Sequence, residues 1–176
     1  MQQSGYSNPL FFIYRMTIEL KKYSFENFYL PTSEYIVADE EKDTLSLRSD
    51  EEISFPETDG NILDAVIRII ITHPKYKTPL SIARHLKQDK RELGGALHIL
   101  SDLCFDDLLH QYRLRAMKEV LMDTKVSTKV IAKYYGYASL QSMNQFLSDQ
   151  TGLTANEIRK GKVVSNKVKR LPWWKL

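Results

Sequence analysis

The stretch "IAKYYGYASLQSMNQFLSDQTGLTANEIRKG", residues Ile131–Gly161, alternates short apolar patterns with residues typical of turns and helix ends. Ser127, just before it, is a residue type that commonly caps a helix, and Gly136 indicates a turn after that first helix. Ser139 can cap the segment that follows the turn, and Gly152 occupies the position where helices commonly end. These signals predict two short helices joined by a tight turn.

A similar pair of segments occurs earlier in the chain. "TPLSIARHL" begins with Thr78 as a cap and a proline in the first turn, and Asp89 can cap the next segment, "KRELGGALHILSD". Ala83 in this pair corresponds to Ala132 in the later one, at the point where two helices must approach closely. Each pair therefore predicts a helix-turn-helix that presents its second helix outward.

Two further helices complete the predicted helical part. "NILDAVIRIIITHP" begins with Asn61 as a cap and must end before Pro74. The segment Asp106–Asp123 places its apolar residues along one stripe, which predicts a single helix of about 27 Å at 1.5 Å per residue. The expected fold class is mainly α, with two helix-turn-helix subdomains joined by a long central helix and a small N-terminal β element.

The residues before this helical part follow a different period. In "RMTIELK", residues 15–21, apolar and polar residues alternate as in a half-buried strand, and "YIVA" and "TLSL" flank an acidic run that predicts a hairpin. "SFPETDG", residues 54–60, contains Pro and Gly and indicates a boundary. We therefore divide the chain into a small acidic N-terminal β-rich element (1–59), a helical domain (60–161) and a basic C-terminal tail (162–176). We expect the helical domain to fold without the N-terminal element.

Charge separates the same regions. Residues 1–59 hold 5 Lys/Arg and 12 Asp/Glu, whereas residues 60–176 hold 20 and 10, for a net charge of +3 over 176 residues. Such asymmetry favours a polyanion partner for the basic part. On charge alone, a basic surface that only confers solubility is an equally good explanation.

Residues 61–161 resemble the AraC/XylS-type DNA-binding domain of bacterial transcriptional regulators. The matching residues keep a fixed spacing without a gap: Arg113, Leu114, Ile131, Ala132, Gly136, Tyr137, Met143, Leu147, Gly152, Thr154 and Arg159. The resemblance implies seven helices with two helix-turn-helix motifs and double-stranded DNA as the partner, with RNA polymerase or another protein as a further candidate. It leaves Arg113 as either a structural or a DNA-binding residue.

The sequence also departs from that family at positions that matter for DNA. Asp102 stands where the family usually has a glycine, and Gly94 and Gly95 occupy positions that often face DNA. Gln145, Ser148 and Asp149 replace residues that tend to be basic, and Ala155 replaces a proline. We therefore expect the first motif to hold the DNA backbone and the second to recognise bases through neutral amides, since Gln and Asn can pair bidentately with adenine.

The candidate DNA-binding residues follow from these positions. They are Lys90, Arg91, Gly94, Gly95, His98, Leu140, Gln141, Ser142, Asn144 and Gln145 on the second helix of each pair, and Lys129, Lys133, Arg159 and Lys160 for phosphate. Without the family resemblance, a solvated polar helix face would be the favoured interpretation of the glutamines. The tail, which contains Trp173 and Trp174, either follows the DNA backbone or docks its tryptophans on the domain.

Other functional classes find little support in the sequence. A single cysteine excludes a disulfide framework and a cysteine zinc site within one chain, and the four histidines are scattered. We expect no enzyme, no cofactor, no metal, no domain for a small-molecule ligand and no membrane partner, and a cytoplasmic location. The alternative function is a protein-interaction module that retains the helix-turn-helix fold without sequence-specific DNA binding.

Overall fold

A computed structural model describes residues 21–55 and 61–161, and helices dominate these ranges. The elements are α1 (Phe25–Phe28), a 3₁₀ turn (Thr32–Glu34), β1 (Ile36–Asp39), β2 (Thr44–Leu47), α2 (Ile62–Thr72), α3 (Pro79–Leu86), α4 (Lys90–Ser101), α5 (Phe105–Asp123), α6 (Thr128–Tyr134), α7 (Leu140–Thr151) and α8 (Ala155–Arg159). The predicted fold class is confirmed. The strand predicted around residues 16–20, most of the boundary segment and the tail lie outside the described residues.

The predicted helix starts are confirmed by capping hydrogen bonds. Each of the five predicted caps accepts a hydrogen bond from a backbone N–H in the first turn of its helix: Asn61, Thr78, Asp89, Ser127 and Ser139. Such a cap stabilises a helix by about 1 kcal/mol, so the boundaries are set locally. The central helix α5 has 19 residues and spans about 28 Å at the standard rise per residue.

β1 and β2 form an antiparallel hairpin, in which Ile36 pairs with Leu47 and Asp39 with Thr44. The predicted hairpin is therefore present. Within the described ranges, no helix combines the length and the apolar character needed to cross a membrane.

The two helix-turn-helix units, residues 78–101 and 127–151, repeat one internal pattern. Leu93 and Leu97 of α4 are fully or almost fully buried, and so are Met143 and Leu147 of α7. In each helix the two residues are four positions apart and face the same side. The same spacing of core residues thus builds both units.

The two units differ at the residues that adopt a left-handed backbone. The first unit uses Lys87 and Asp102, with φ of 55° and 56°, at the end of α3 and of α4. The second uses Gly136 and Gly152, both with φ of 75°. Because this conformation costs an L-residue roughly 1–2 kcal/mol and glycine almost nothing, the second unit closes its turns with less strain.

Arg113, near the middle of α5, joins the second unit to the segment that leads into the first. Its Nη1 donates to the carbonyl oxygens of Pro74 and, at 3.0 Å, Tyr76, and its Nη2 donates to that of Tyr135 at 2.8 Å. Pro74 and Tyr76 lie between α2 and α3, whereas Tyr135 ends α6. The side chain is 3% exposed. Of the two roles left open by the sequence, the structure gives Arg113 the structural one.

The N-terminal element packs into the same core as the helices. Between residues 21 and 55, seven apolar residues are buried: Tyr23, Phe28, Tyr29, Leu30, Tyr35, Ile36 and Ile53. The backbone N–H of Tyr23 donates to the carbonyl of Leu100 at 2.8 Å, and that of Leu30 donates to the hydroxyl of Tyr112 at 3.1 Å. These contacts oppose the expectation that the helical domain folds alone. The boundary near residue 60 itself stays a prediction.

Candidate nucleic-acid interface

The exposed side of α4 carries most of the first unit's candidate residues. Lys90, Arg91, Gly95 and His98 are exposed, and the last three are spaced four and three positions apart, on one face of the helix. Gly94 is half-buried, and a Cβ built on it would lie 4.0 Å from the Cβ of Phe105. Gly94 therefore faces α5 and not the outer surface.

The exposed side of α7 has the same pattern of burial as that of α4. Gln141, Ser142 and Gln145 are exposed, at the positions that correspond to Arg91, Glu92 and Gly95. At these three positions the second unit has neutral polar side chains, whereas the first has a cation, an acid and a glycine. The outward face predicted for these three residues is present in the structure.

Two other predicted residues of α7 do not lie on that face. Leu140 is half-buried and packs against the core. Asn144 is also half-buried, and its Oδ1 accepts a hydrogen bond from the backbone N–H of Ala155 at 2.9 Å. Asn144 corresponds to Gly94, so both positions support the helix that follows their unit. The assignment of Leu140 and Asn144 to DNA stays a prediction, for side chains that are partly used in packing.

The polar groups of α7 differ in how free they are to bind a ligand. Gln145 donates from Nε2 to Oδ1 of Asp149 at 2.7 Å, and the hydroxyl of Ser142 donates to the carbonyl of Ser139 at 2.8 Å. Gln141 forms no side-chain hydrogen bond with any residue in 21–55 or 61–161. The whole amide of Gln141 is therefore available to a base, whereas one N–H of Gln145 is already used.

Positive charge is concentrated on the first unit and the segment before it. Residues 75–101 contain six Lys/Arg and two Asp/Glu, whereas residues 124–151 contain three and one, and α7 contains no Lys or Arg. The six cations of the first region are exposed, and none forms an ion pair with a carboxylate of the described chain: Lys75, Lys77, Arg84, Lys87, Lys90 and Arg91. They form an unneutralised cationic surface.

Three of the four predicted phosphate-binding cations outside the second helices are exposed. Lys129, Lys133 and Lys160 extend into solvent. Arg159 is half-buried, and its guanidinium donates to the carbonyl oxygens of Leu121, at 3.2 Å, and Val126. Arg159 thus ties α8 to the end of α5, and its predicted phosphate contact stays a prediction.

One contact that positions the second unit on the segment before the first has no signal in the sequence. A Cβ built on Gly136 would lie 2.9 Å from the Cα of Lys75, so the α6–α7 turn packs directly on the segment between α2 and α3. Nearby, Nζ of Lys77 lies 5.4 Å from the centre of the Tyr137 ring. The glycine-aromatic pair predicts a turn, but the partner of that turn is 61 residues away in the chain.

Reactive side chains do not assemble into a second kind of site. The thiol of Cys104 donates to Asp107 at 3.0 Å, and burial raises the pKa of this thiol, so it is poorly activated as a nucleophile. Burial, with the neighbouring His85, lowers the pKa of His73. Among the described residues, no group of three or more His, Cys, Asp or Glu side chains could hold a metal ion.

Comparison with known proteins identifies the fold of this arrangement. No protein-family model matches the chain, and no curated protein matches its sequence significantly. The C-terminal domain of AraT, a response regulator from Geobacillus stearothermophilus, superimposes with a TM-score of 0.50 and 20% identity over 64% of this chain and 94% of that one. At this identity the likeness shows the fold, and the resemblance to the AraC/XylS-type domain is confirmed at that level.

Two further solved structures show weaker likeness. A DNA-binding transcriptional dual regulator from Escherichia coli K-12 has a TM-score of 0.47 and 20% identity, over 59% of this chain and 100% of that one. The xylose-binding transcription activator xylR has a TM-score of 0.48 and 18% identity, over 63% of this chain and 31% of that one.

Proposed function

We propose that this protein binds double-stranded DNA and regulates transcription, with α4 and α7 in successive major-groove segments about one helical turn, roughly 34 Å, apart. The observation that carries the proposal is the internal repeat: two helix-turn-helix units present the same face of their second helices. The fold shared with the AraT domain, part of a response regulator, supports it. RNA polymerase or another protein is a further partner within this proposal.

The two units contribute differently to binding. The exposed cations around α4 attract phosphate, while Gly95 offers no side chain to a base. On α7, the free amide of Gln141 can donate to and accept from an adenine edge, a pairing that contributes roughly 1–3 kcal/mol of discrimination. The first unit therefore supplies affinity, and the second supplies base preference.

The contacts between the units favour a fixed spacing of the DNA site. Arg113 bonds to carbonyls on both sides, and Gly136 allows the α6–α7 turn to touch Lys75. Because the two recognition helices are held by these contacts before DNA arrives, little ordering entropy is lost on binding. An insertion of a few base pairs between the two half-sites is expected to abolish simultaneous contact.

The experiment is a fluorescence-anisotropy titration of labelled random-sequence duplex at several salt concentrations. Each phosphate neutralised contributes about −0.9 to the slope of log affinity against log salt, so Arg91→Ala should make the slope shallower by about 1. Lys42→Ala, at the hairpin, removes the same charge and should leave the slope unchanged. Absence of binding by the folded protein at low salt, or equal slopes for Arg91→Ala and the parent, would refute the proposal.

A second candidate function rests on two exposed positions. Asp149 on α7 is acidic and opposes phosphate, and the corresponding residue of α4, Ile99, is apolar and 49% exposed. These residues suit a protein surface better than a DNA backbone. A folded protein that binds no duplex at low salt would favour a protein-interaction module with a retained helix-turn-helix fold.

A further inference from the structure

A cleft of about 710 Å³ opens on the side of the molecule where three elements meet. Its walls are strand β2, the segment that follows α2, and helix α6. The volume lies within the range of roughly 300–1,000 Å³ that is usual for small-molecule sites. The cleft is separate from the exposed faces of α4 and α7, since no residue of either helix lines it.

The floor of the cleft is apolar. Leu45 and Leu47 alternate along β2 and point to one face of the hairpin, and Val130 faces them from α6. All three are only half-buried, although their type favours full burial. Their remaining apolar surface borders the cleft, so an apolar ligand would cover area that now faces solvent.

The polar groups of the cleft select the charge of such a ligand. Lys75 and Lys133 lie at its edge, are exposed, and form no ion pair with any described carboxylate. Asp43, which also lines the cleft, accepts a hydrogen bond from the backbone N–H of Ser127 at 2.6 Å, so part of its charge is already satisfied. The two free ammonium groups favour an anion.

Tyr134 also lines the cleft, but its hydroxyl oxygen is buried and is not exposed to a ligand there. The polar partners that the cleft offers to an anion are therefore the two lysines.

We propose that this cleft binds a small amphipathic organic anion. Its apolar body would lie against Leu45, Leu47 and Val130, and its carboxylate would be held by Lys75 and Lys133. The sequence analysis expects no domain for a small-molecule ligand, and the cleft forms only where the N-terminal hairpin meets the helices. The cleft is separate from the proposed DNA-binding surface, so ligand binding there can be measured without DNA.

The position of the cleft gives such a ligand access to the contact between the two units. Pro74 and Tyr76 line the cleft, and their carbonyl oxygens accept the hydrogen bonds of Arg113. A bound anion would therefore touch the segment on which the α6–α7 turn packs.

The test is isothermal titration calorimetry of the full chain with octanoate and with octylammonium, which share an apolar chain and differ in head-group charge. Octanoate should bind saturably with one site per chain, and octylammonium at least about tenfold more weakly, since two ammonium groups repel it. Lys75→Gln and Lys133→Gln should each weaken octanoate about threefold or more.

Lys77→Gln is the matched control for Lys75→Gln. Lys77 lies two positions further along the same segment, carries the same charge and does not line the cleft, so its replacement should leave octanoate affinity within about twofold of the parent. Circular dichroism establishes that each variant is folded. Equal binding of octanoate and octylammonium, no saturable heat with octanoate, or equal losses from Lys75→Gln and Lys77→Gln would overturn the proposal.

Discussion

The first and second helix-turn-helix units have the same interior and different exteriors. Ser101 ends α4 with its hydroxyl donating to the carbonyl of Leu97 at 2.8 Å, and Thr151 ends α7 in the same way on Leu147 at 2.7 Å. The similarity of the two interiors thus extends to single hydrogen bonds. The inward positions of both units are thus set by the packing of one motif.

The outward positions have diverged. Where α4 has Arg91, Gly95 and His98, α7 has Gln141, Gln145 and Ser148. Exposed positions tolerate such exchange because they contribute little to stability. In the proposed function, one scaffold separates phosphate attraction from base recognition while other contacts hold the two copies together.

The largest effect is expected from removal of the N-terminal element. If the two units formed a self-sufficient domain, a chain that begins at residue 61 would fold normally. Because seven buried apolar residues would be lost, we expect a loss of unfolding free energy on the order of 5 kcal/mol or more. Chemical denaturation of the truncated and full chains measures it. A cooperative transition at an unchanged midpoint would restore the idea of an independent helical domain.

Arg113→Leu is expected to destabilise the protein by about 3 kcal/mol or more, because three carbonyl oxygens lose their donor, two in the segment before the first unit and one in the second unit. Arg115→Leu, on the same helix, is the control. Arg115 is 40% exposed and pairs with Glu26 at 2.7 Å, a contact that contributes at most about 1 kcal/mol. Equal denaturation midpoints for the two variants would show that Arg113 does not join the units.

The left-handed positions of the two units should respond in opposite directions. Gly136→Ala is expected to destabilise by about 2 kcal/mol, since its Cβ would lie 2.9 Å from a backbone atom of Lys75 and its φ is unfavourable. Lys87→Gly, at the corresponding position of the first unit, should be neutral or stabilising by up to about 1 kcal/mol. Thermal unfolding of both variants measures the change in stability. If Lys87→Gly lost as much stability as Gly136→Ala, the left-handed backbone conformation would not be the cause of the difference.

The smallest effect concerns charge on the second unit. Asp149→Asn keeps a hydrogen-bond acceptor for Gln145 but removes the one negative charge of α7, so duplex affinity should rise by up to about 1 kcal/mol. Asp106→Asn, at the start of the central helix, removes an equal charge from another exposed position and should change affinity less. Anisotropy titrations compare the two variants; if Asp149→Asn weakens binding, α7 does not approach DNA.

Local features of the fold could be predicted from the sequence, and long-range ones could not. Helix starts at Thr78 and Ser139 depend on a side chain and a backbone N–H within one turn, so their signals lie in adjacent residues. Asn144 and Arg159 have the types and spacing of DNA-binding residues, yet their hydrogen bonds go to distant backbone groups. Which polar side chain is free is decided by tertiary contacts, and these leave no periodic pattern.

The most direct test of the division between the two units is selection of bound sequences from a random duplex pool with the parent, Gln141→Ala and Arg91→Ala proteins. We predict that the parent protein enriches a preferred sequence. Gln141→Ala should lose base preference in one half of that sequence, at a cost of roughly 1–3 kcal/mol. Arg91→Ala should weaken binding to all sequences while the preferred sequence stays the same. An unchanged preference in Gln141→Ala, or a preference lost in Arg91→Ala, would contradict the account.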